Sequence, residues 1–205
     1  MSETFATPAA EALDDPALDR LFRHARTLWA WRPGSRIDER DVHAIYDLMK
    51  WGPTSANSSP ARFVFVTSEQ GRERLRPSLS AGNVDKTMAS PATVIVAYDP
   101  VFYEQLPMLY PPADARSWFA GNAALAEETA MRNSSLQGAY FIVAARALGY
   151  DCGPMSGFDR GRVDEAFFAE SGWKSNFLVS VGHGDPSQAK PRLPRLAFEQ
   201  ACLMA

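Results

Sequence analysis

Hydrophobic residues recur at the spacing of an amphipathic helix in three parts of the chain. Asp15-Pro16 combines an N-cap with a first-turn proline and predicts a first helix that ends near Arg26. Asp38 repeats the capping signal before a second apolar stripe, which ends at Gly52-Pro53. A third and longer helix is predicted over residues 123–148.

The third predicted helix contains the longest wholly apolar run of the chain, Ala139 to Ala145. This run is apolar on every side of the helix, whereas a helix that covers a core on one side needs only a stripe. The pattern therefore indicates burial against a core or against a partner subunit. Gly149 supplies the C-cap.

Three β-rich runs predict strands at residues 62–67, 93–98 and 176–182. The second run is apolar enough to be a central strand. A short helix is predicted between the first two strands, at residues 69–79, and another begins at Asp159. Strands separated by helices favour a mixed α/β layer structure with a single sheet, but three strands do not fix a topology.

Two segments are rich in proline and predict irregular structure. Residues 99–121 mix prolines with aromatic residues, as an excursion over the body of a protein does. From Asp185 onward, prolines exclude regular structure until an apolar pattern resumes over residues 196–203.

Length and composition favour one domain over residues 1–205, with residues 1–14 expected to be flexible. Hydrophobic residues at 46% and charged residues at 22% are typical of a globular protein. A net charge of −3 offers no basic excess for nucleic acid, and no run is long enough to span a membrane. The acidic start does not resemble a signal peptide, so we expect a cytoplasmic protein in which Cys152 and Cys202 are free thiols.

Common catalytic and nucleotide-binding motifs are missing from the sequence. It contains no GxGxxG, GxxxxGK[ST], HExxH or GxSxG segment. His24 and His43 have polar neighbours on predicted helices and are expected at the surface, so no metal site is predicted.

Three polar segments are harder to explain as plain loops. Residues 51–60 concentrate hydroxyl groups and an amide where a helix meets a strand. Residues 152–159 bring glycines and a proline together directly after the buried helix, where the backbone could approach a flat ligand closely. Residues 190–195, KPRLPR, form a stiff basic tail able to reach a phosphate. Taken singly, each segment could also be a turn or a solvated tail.

The order of these segments resembles the nitroreductase-like flavoprotein family, and within it the malonic semialdehyde reductase branch of pyrimidine degradation. The resemblance runs from about Leu21 to Cys202. It is carried by WGPTSANSSPARFVFV, DARSWF, AEETAMRNSSLQGAY, LGYDCGPMSGFD, SNFLVSVGHGDPS and RLPRLAFEQAC, in that order.

The resemblance implies an α+β fold with a mostly antiparallel central sheet flanked by helices, and a homodimer that exchanges its C-terminal tails. It implies FMN at the subunit interface, reduced by NADH or NADPH before a second, small-molecule substrate is reduced. FMN carries the hydride, so no side chain is expected to act as the catalytic group.

The resemblance also implies a set of cofactor-binding residues. The phosphate is expected at Arg26 and Thr27 and at the tail cations Lys190 and Arg192. The flavin ring is expected beside Pro53, Thr54, Ser55, Asn57, Asn83, Lys86, Pro154, Met155, Ser156 and Gly157. The sequence departs from the family pattern at Ala25 and Trp29, where arginines are usual, so further phosphate charge must come from elsewhere. Ser156 stands where a glutamate is often found.

Several of these residues also have a purely structural interpretation. Arg26 could satisfy carbonyls at a helix end, Lys86 could be solvated beside Asp85, and Asn57 could cap its own loop. Trp118 and Phe119 are equally compatible with core packing and with an aromatic lid over the flavin. Arg116 is a candidate for holding a substrate carboxylate through two hydrogen bonds.

The branch resemblance implies reduction of malonic semialdehyde to 3-hydroxypropanoate. A broad-specificity nitroreductase or quinone reductase is the alternative within the family. An alternative from another class is a flavin-binding module without turnover.

Overall fold

The computed structural model describes residues 11–205 and contains one antiparallel sheet in the order β1-β2-β4-β3. The strands are β1 (Ala61–Val66), β2 (Ala92–Tyr98), β3 (Asp151–Met155) and β4 (Lys174–Gly182). Strand β2 is fully buried, as expected for a central strand. The antiparallel sheet confirms the α+β class with flanking helices.

The two faces of the sheet support separate layers of the core because neighbouring strand residues point to opposite sides. Val94 and Val96 face the helices α2 (Glu39–Met49) and α7 (Ala123–Ala147). Ile95 and Ala97 face the opposite layer, which contains α3 (Glu69–Leu75) and α8 (Arg160–Phe168).

The remaining helices are short. They are α1 (Asp15–Leu18), continued by a π turn over Asp19–Arg23, and α4 (Ala81–Met88), α5 (Leu106–Leu109), α6 (Ser117–Ala120) and α9 (Phe198–Ala201). Single 3-10 turns occupy Ser55–Asn57, Arg76–Ser78, Phe102–Gln105 and Pro186–Gln188. Helix α4 was not expected from the sequence.

The first helix ends earlier than predicted, at Arg23 rather than near Arg26, and its N-cap is Asp14 rather than Asp15. The carbonyl oxygens of Arg23 and Ala25 accept hydrogen bonds from the Arg192 guanidinium, at 2.7 and 3.0 Å. Contacts with the tail thus satisfy carbonyls near the helix end, which local periodicity cannot reveal. Residues 1–10 of the segment expected to be flexible lie outside the described residues.

Strand β3 was missed because its sequence, DCGPM, contains a glycine and a proline. It is an edge strand, paired only with β4 within the described sheet, and an edge strand tolerates a proline that cannot donate a hydrogen bond. The glycine and proline of residues 152–159 therefore do not prevent the first half of this segment from forming a strand. The expected helix after Asp159 is confirmed, with that residue as the N-cap of α8.

The apolar run of α7 is buried on one side only. Phe141 and Ala145 are fully buried in the core, whereas Tyr140 remains 44% exposed. The core therefore accounts for the buried side of the run. Burial of its exposed side, which includes Tyr140, by a partner subunit stays a prediction.

Residues 99–121 form the expected excursion and enclose a third core cluster beside the first half of α7, around Tyr98, Phe102 and Phe119. The segment after Asp185 is irregular as predicted, apart from one 3-10 turn and α9. The large apolar side chains of its last part, such as Leu196 and Leu203, are 69% and 90% exposed.

None of the helices within residues 11–205 is long and apolar enough to cross a membrane. Cys152 and Cys202 are both free thiols, as predicted. The side chains of His24 and His43 are 78% and 71% exposed, which confirms their expected surface placement.

Candidate functional site

A cavity of about 750 Å³ lies between the segment after the first helix and the C-terminal tail. Five cationic side chains and no acidic one are among its lining residues, and we call it the basic cavity. The cations are Arg26, Arg146, Lys190, Arg192 and Arg195. Its volume is within the range of small-molecule sites, and its charge suits an anionic group.

Hydrogen bonds between arginines and main-chain carbonyls form one side of the basic cavity. Arg26 donates to the carbonyl of Lys190, and Arg192 donates to the carbonyls of Arg23 and Ala25. Thr27 also lines the cavity. The structure therefore brings together all four residues that the family resemblance assigned to phosphate.

Trp29 forms another part of the cavity lining and is held by two contacts. A Cβ atom at Gly153 would lie 2.6 Å from the indole ring, so only glycine lets the ring approach β3 this closely. The Lys86 ammonium also lies 4.9 Å from the ring centroid, in a cation–π contact. Lys86 is thus fixed against a ring rather than simply solvated, and Trp29 has a place beside the cavity that the sequence did not indicate.

The end of β3 and the residues after it contact α4. The Asn83 amide donates to the Gly157 carbonyl at 3.0 Å, and the Thr87 hydroxyl lies 3.4 Å from the Met155 sulfur. Pro154 and Ser156 are exposed beside these buried contacts. We call this set, together with the phosphate candidates, the cavity group; it comprises Arg26, Thr27, Asn83, Lys86, Pro154, Met155, Ser156, Gly157, Lys190 and Arg192.

The loop with Pro53, Thr54, Ser55 and Asn57 lies elsewhere. The main-chain N–H of Ser55 donates to the buried side-chain oxygen of Asn133 on α7 at 2.8 Å. The side-chain amide of Asn57 donates to the Leu109 carbonyl at 2.9 Å. Asn57 also has a positive φ of 50°, which asparagine tolerates better than most residues. The Asn57 side chain therefore does not cap its own loop; it links the loop to residues 99–121.

The substrate candidates lie near this loop. Arg116 forms two hydrogen bonds to the carboxylate of Glu104, at 2.7 and 2.8 Å, which lower the pKa of that carboxyl. Trp118 is 49% exposed, whereas Phe119 is buried and contacts Phe102 edge to face. Phe119 is thus a core residue, whereas the Trp118 side chain is accessible to a ligand. We call Pro53, Thr54, Ser55, Asn57, Arg116 and Trp118 the loop group.

The two groups lie near different edges of the sheet. Residues 53–57 of the loop group directly precede β1, and Ser55 contacts α7, whereas residues 154–157 of the cavity group lie at the end of β3 and contact α4. Strands β1 and β3 are the two edges of the sheet, about 14 Å apart at the usual strand spacing. The cavity group thus gathers at one sheet edge and the loop group at the other.

Buried titratable groups outside both sets include Cys152 and Tyr98. Burial raises the pKa of the Cys152 thiol to about 12, so at neutral pH it is a neutral and unreactive group. Burial and a hydrogen bond to Glu127 likewise raise the pKa of Tyr98 to about 12. Tyr98 also accepts a hydrogen bond from Arg160, which makes this a structural network beneath the excursion.

Sequence reasoning missed Arg146 and Trp29 as cavity residues. Trp29 drew attention only as a departure from the family pattern, and Arg146 belongs to no motif. The one available signal was its position, as a single arginine directly after the apolar run Ala139 to Ala145.

A profile of the nitroreductase family matches residues 23–183, which is more than half of the chain. The matched span contains the loop group and most of the cavity group, and it ends before Lys190 and Arg192.

Solved structures share the fold over nearly the whole chain. One is a protein from Exiguobacterium sibiricum, named as a nitroreductase and solved in complex with FMN; it is 22% identical, with 96% of this chain and 99% of that chain covered at a TM-score of 0.80. Another, from Staphylococcus epidermidis and named as an NAD(P)H:FMN oxidoreductase, is 18% identical, with 97% and 99% covered at a TM-score of 0.80. A nitroreductase family protein from Streptococcus pneumoniae is 20% identical, with 90% and 98% covered at a TM-score of 0.78.

Proposed function

The chain belongs to the nitroreductase family, and on this premise we propose that it is an FMN-dependent oxidoreductase that uses NADH or NADPH to reduce a small molecule. The observation that carries the proposal is the basic cavity, where the tail, the segment after the first helix and the end of α7 together supply five cations beside an indole ring. The residues present fit FMN because they offer cations for a phosphate dianion and a flat aromatic wall next to it.

In this proposal, Arg26, Thr27, Lys190 and Arg192 bind the phosphate, while Asn83, Lys86 and the main chain of residues 154–157 position the ring. Bound FMN would supply two-electron transfer from the nicotinamide to the substrate. Each guanidinium has five N–H donors, so Arg26 and Arg192 can keep their carbonyl contacts and still bind phosphate oxygens.

We further propose that the working unit is a homodimer. A single chain places the loop group and the cavity group at opposite sheet edges, so a site built from both needs a second copy. The exposed apolar residues of the last tail segment and the exposed side of α7 provide surfaces for such an assembly.

Light scattering of the FMN-loaded protein is expected to give twice the 22.6 kDa mass of one chain. The same measurement after deletion of residues 196–205 is expected to show a weakened dimer, because this segment exposes apolar side chains that a partner would bury. An FMN-loaded monomer in dilute solution would contradict the assembly.

For the substrate, we propose malonic semialdehyde, reduced to 3-hydroxypropanoate. The support is the branch resemblance together with the pair formed by Arg116 and Glu104, in which the guanidinium already holds one planar carboxylate through two bonds. Both side chains are nearly half exposed, so a substrate carboxylate could replace that of Glu104.

Two variants test this assignment through kcat/KM for malonic semialdehyde and for the neutral aldehyde propanal. Arg116→Ala is expected to remove about tenfold or more of the preference for the acid, because the paired carboxylate loses its cation. Glu104→Gln is expected to increase the preference, because Arg116 is released for the substrate. Unchanged preference in both variants would leave Arg116 without a substrate role.

The second candidate function is a broad-specificity nitroreductase or quinone reductase. It is favoured by the neutralisation of Arg116 by Glu104 and by the half-exposed Trp118, whose ring lies 6.0 Å from that of Tyr110. Anaerobic stopped-flow mixing of the reduced protein with malonic semialdehyde, propanal, a quinone and a nitroaromatic distinguishes the two. Rapid reoxidation by the quinone and nitroaromatic, without reaction of the aldehyde acid, would select the second candidate. Failure of NADH and NADPH to reduce the loaded protein would indicate a binding module without turnover.

A further inference from the structure

Arg146 lies in the last turn of α7 at the wall between two cavities. One is the basic cavity, and the other is a polar cavity of about 610 Å³ that is also lined by Arg20 and Arg32 and by the carboxylates of Asp19 and Asp151. Ala25 is the second residue that lines both spaces. The small side chain of Ala25 leaves the region beside the Arg146 guanidinium open.

The Arg146 side chain is poorly satisfied. It takes part in none of the ion pairs formed among residues 11–205. One terminal nitrogen donates to the Leu21 carbonyl at 3.3 Å, and the buried Nε atom has no acceptor among the described residues. Arg146 is partly buried, and a buried donor without an acceptor is unfavourable, so packing alone does not explain an arginine here.

The other arginines of the basic cavity differ from Arg146 in this respect. Arg26 and Arg192 donate to carbonyls that join the tail to residues 23–25, and Arg195 donates to the carbonyls of Leu193 and Pro194. Those three side chains have main-chain acceptors at ordinary or short distances. Among the described residues, the Leu21 carbonyl is the single hydrogen-bond acceptor of the Arg146 side chain, so its other terminal nitrogen is available to a ligand in the cavity.

We propose that Arg146 is a further phosphate-binding residue, which supplies from the end of α7 the positive charge that Ala25 and Trp29 do not supply. The ligand chemistry is a phosphate monoester dianion, and the inference rests on the proposed function in taking that ester to be FMN. Arg146 belongs to the lining through the last turn of α7, whereas Lys190 and Arg192 belong to it through the tail. The cavity therefore receives positive charge from two separate elements.

The test separates the phosphate from the rest of the flavin by comparing FMN with riboflavin. Fluorescence titration gives the dissociation constants of both ligands. The dissociation constant of riboflavin divided by that of FMN measures what the phosphate contributes to affinity. Arg146→Gln removes the charge and keeps a polar side chain, and Arg146→Met replaces the partly buried cation by an apolar side chain. Arg132→Gln is the matched control, because Arg132 is exposed on the same helix and pairs with Glu128.

Both Arg146 variants are expected to lower the ratio by about 10- to 150-fold, the range for a hydrogen-bonded charged group. Riboflavin affinity should stay within about twofold of the wild-type value, a spread far below that range. Arg132→Gln should leave both constants unchanged, and Arg146→Lys should restore most of the ratio. An unchanged ratio, or an equal loss of FMN and riboflavin affinity, would overturn the role of Arg146.

Failure of the proposed function gives a different result. Wild-type protein that binds neither flavin would reject FMN as the cofactor. Melting temperatures with inorganic phosphate, against sodium chloride at equal ionic strength, then decide the inference alone. Protection of the wild type but not of Arg146→Gln supports a phosphate role, whereas equal protection or none overturns it.

Discussion

The Arg192→Ala variant is expected to bind FMN about 10- to 150-fold more weakly than the wild-type protein. This range corresponds to the loss of one hydrogen-bonded cation from a phosphate site. The guanidinium of Arg192 also donates to the carbonyls of Arg23 and Ala25, so its removal detaches the tail from one wall of the basic cavity. Titration of flavin fluorescence measures the change.

Arg195→Ala provides the comparison for Arg192→Ala. The Arg195 guanidinium donates to two carbonyls of the tail itself, at 3.0 and 3.1 Å, and among the described residues it makes no hydrogen bond to the segment after the first helix. We expect a smaller loss of FMN affinity than for Arg192→Ala. Equal FMN affinity in the wild type and in Arg192→Ala would contradict the assignment of the tail to the phosphate site.

The Phe141→Ala variant is expected to lose about 3–5 kcal/mol of unfolding free energy, the usual cost of truncating a buried phenylalanine. Phe141 is fully buried, and its ring lies 5.7 Å from that of Phe63 and 6.0 Å from that of Phe65. Its removal opens a cavity between α7 and the first strand. Urea unfolding of wild type and variant at one protein concentration measures the loss.

Tyr140→Ala separates the two explanations of the apolar run in α7. Tyr140 is 44% exposed in a single chain, so its truncation should cost much less than that of Phe141 if only the core matters. In a homodimer that covers this side of α7, Tyr140→Ala should instead raise the dissociation constant of the dimer.

For Phe141→Ala, a loss of unfolding free energy below about 1 kcal/mol, against the usual 3–5 kcal/mol, would contradict the burial of this side chain in the core.

Strong local patterns explain what the sequence predicted correctly. The alternating and wholly apolar runs of β1, β2 and β4 and the long apolar stretch of α7 identify their elements without tertiary information, because each pattern has one compatible period. The N-caps Asp38 and Asp159 mark helix starts through a hydrogen bond that depends on local residues only.

Tertiary contacts explain what the sequence did not predict. Strand β3 exists because β4 offers a free edge, which a segment with Gly153 and Pro154 can use despite its composition. The first helix ends at Arg23 beside a tail that lies almost 170 residues later in the chain.

The candidate site shows the same limit. The order of motifs led to the family, but it carried no information on which sheet edge holds each motif. The sequence alone therefore could not show that Asn57 and Arg192 lie in separate groups. Nor could it show that Glu104 pairs with Arg116, or that Arg146 reaches the cavity from α7.

Absorbance spectroscopy of the purified protein tests the central claim most directly. The account predicts that the protein binds about one FMN per chain, and that the absorbance of the oxidised flavin disappears on addition of NADH or NADPH without oxygen. A colourless protein that takes up no added FMN would contradict it.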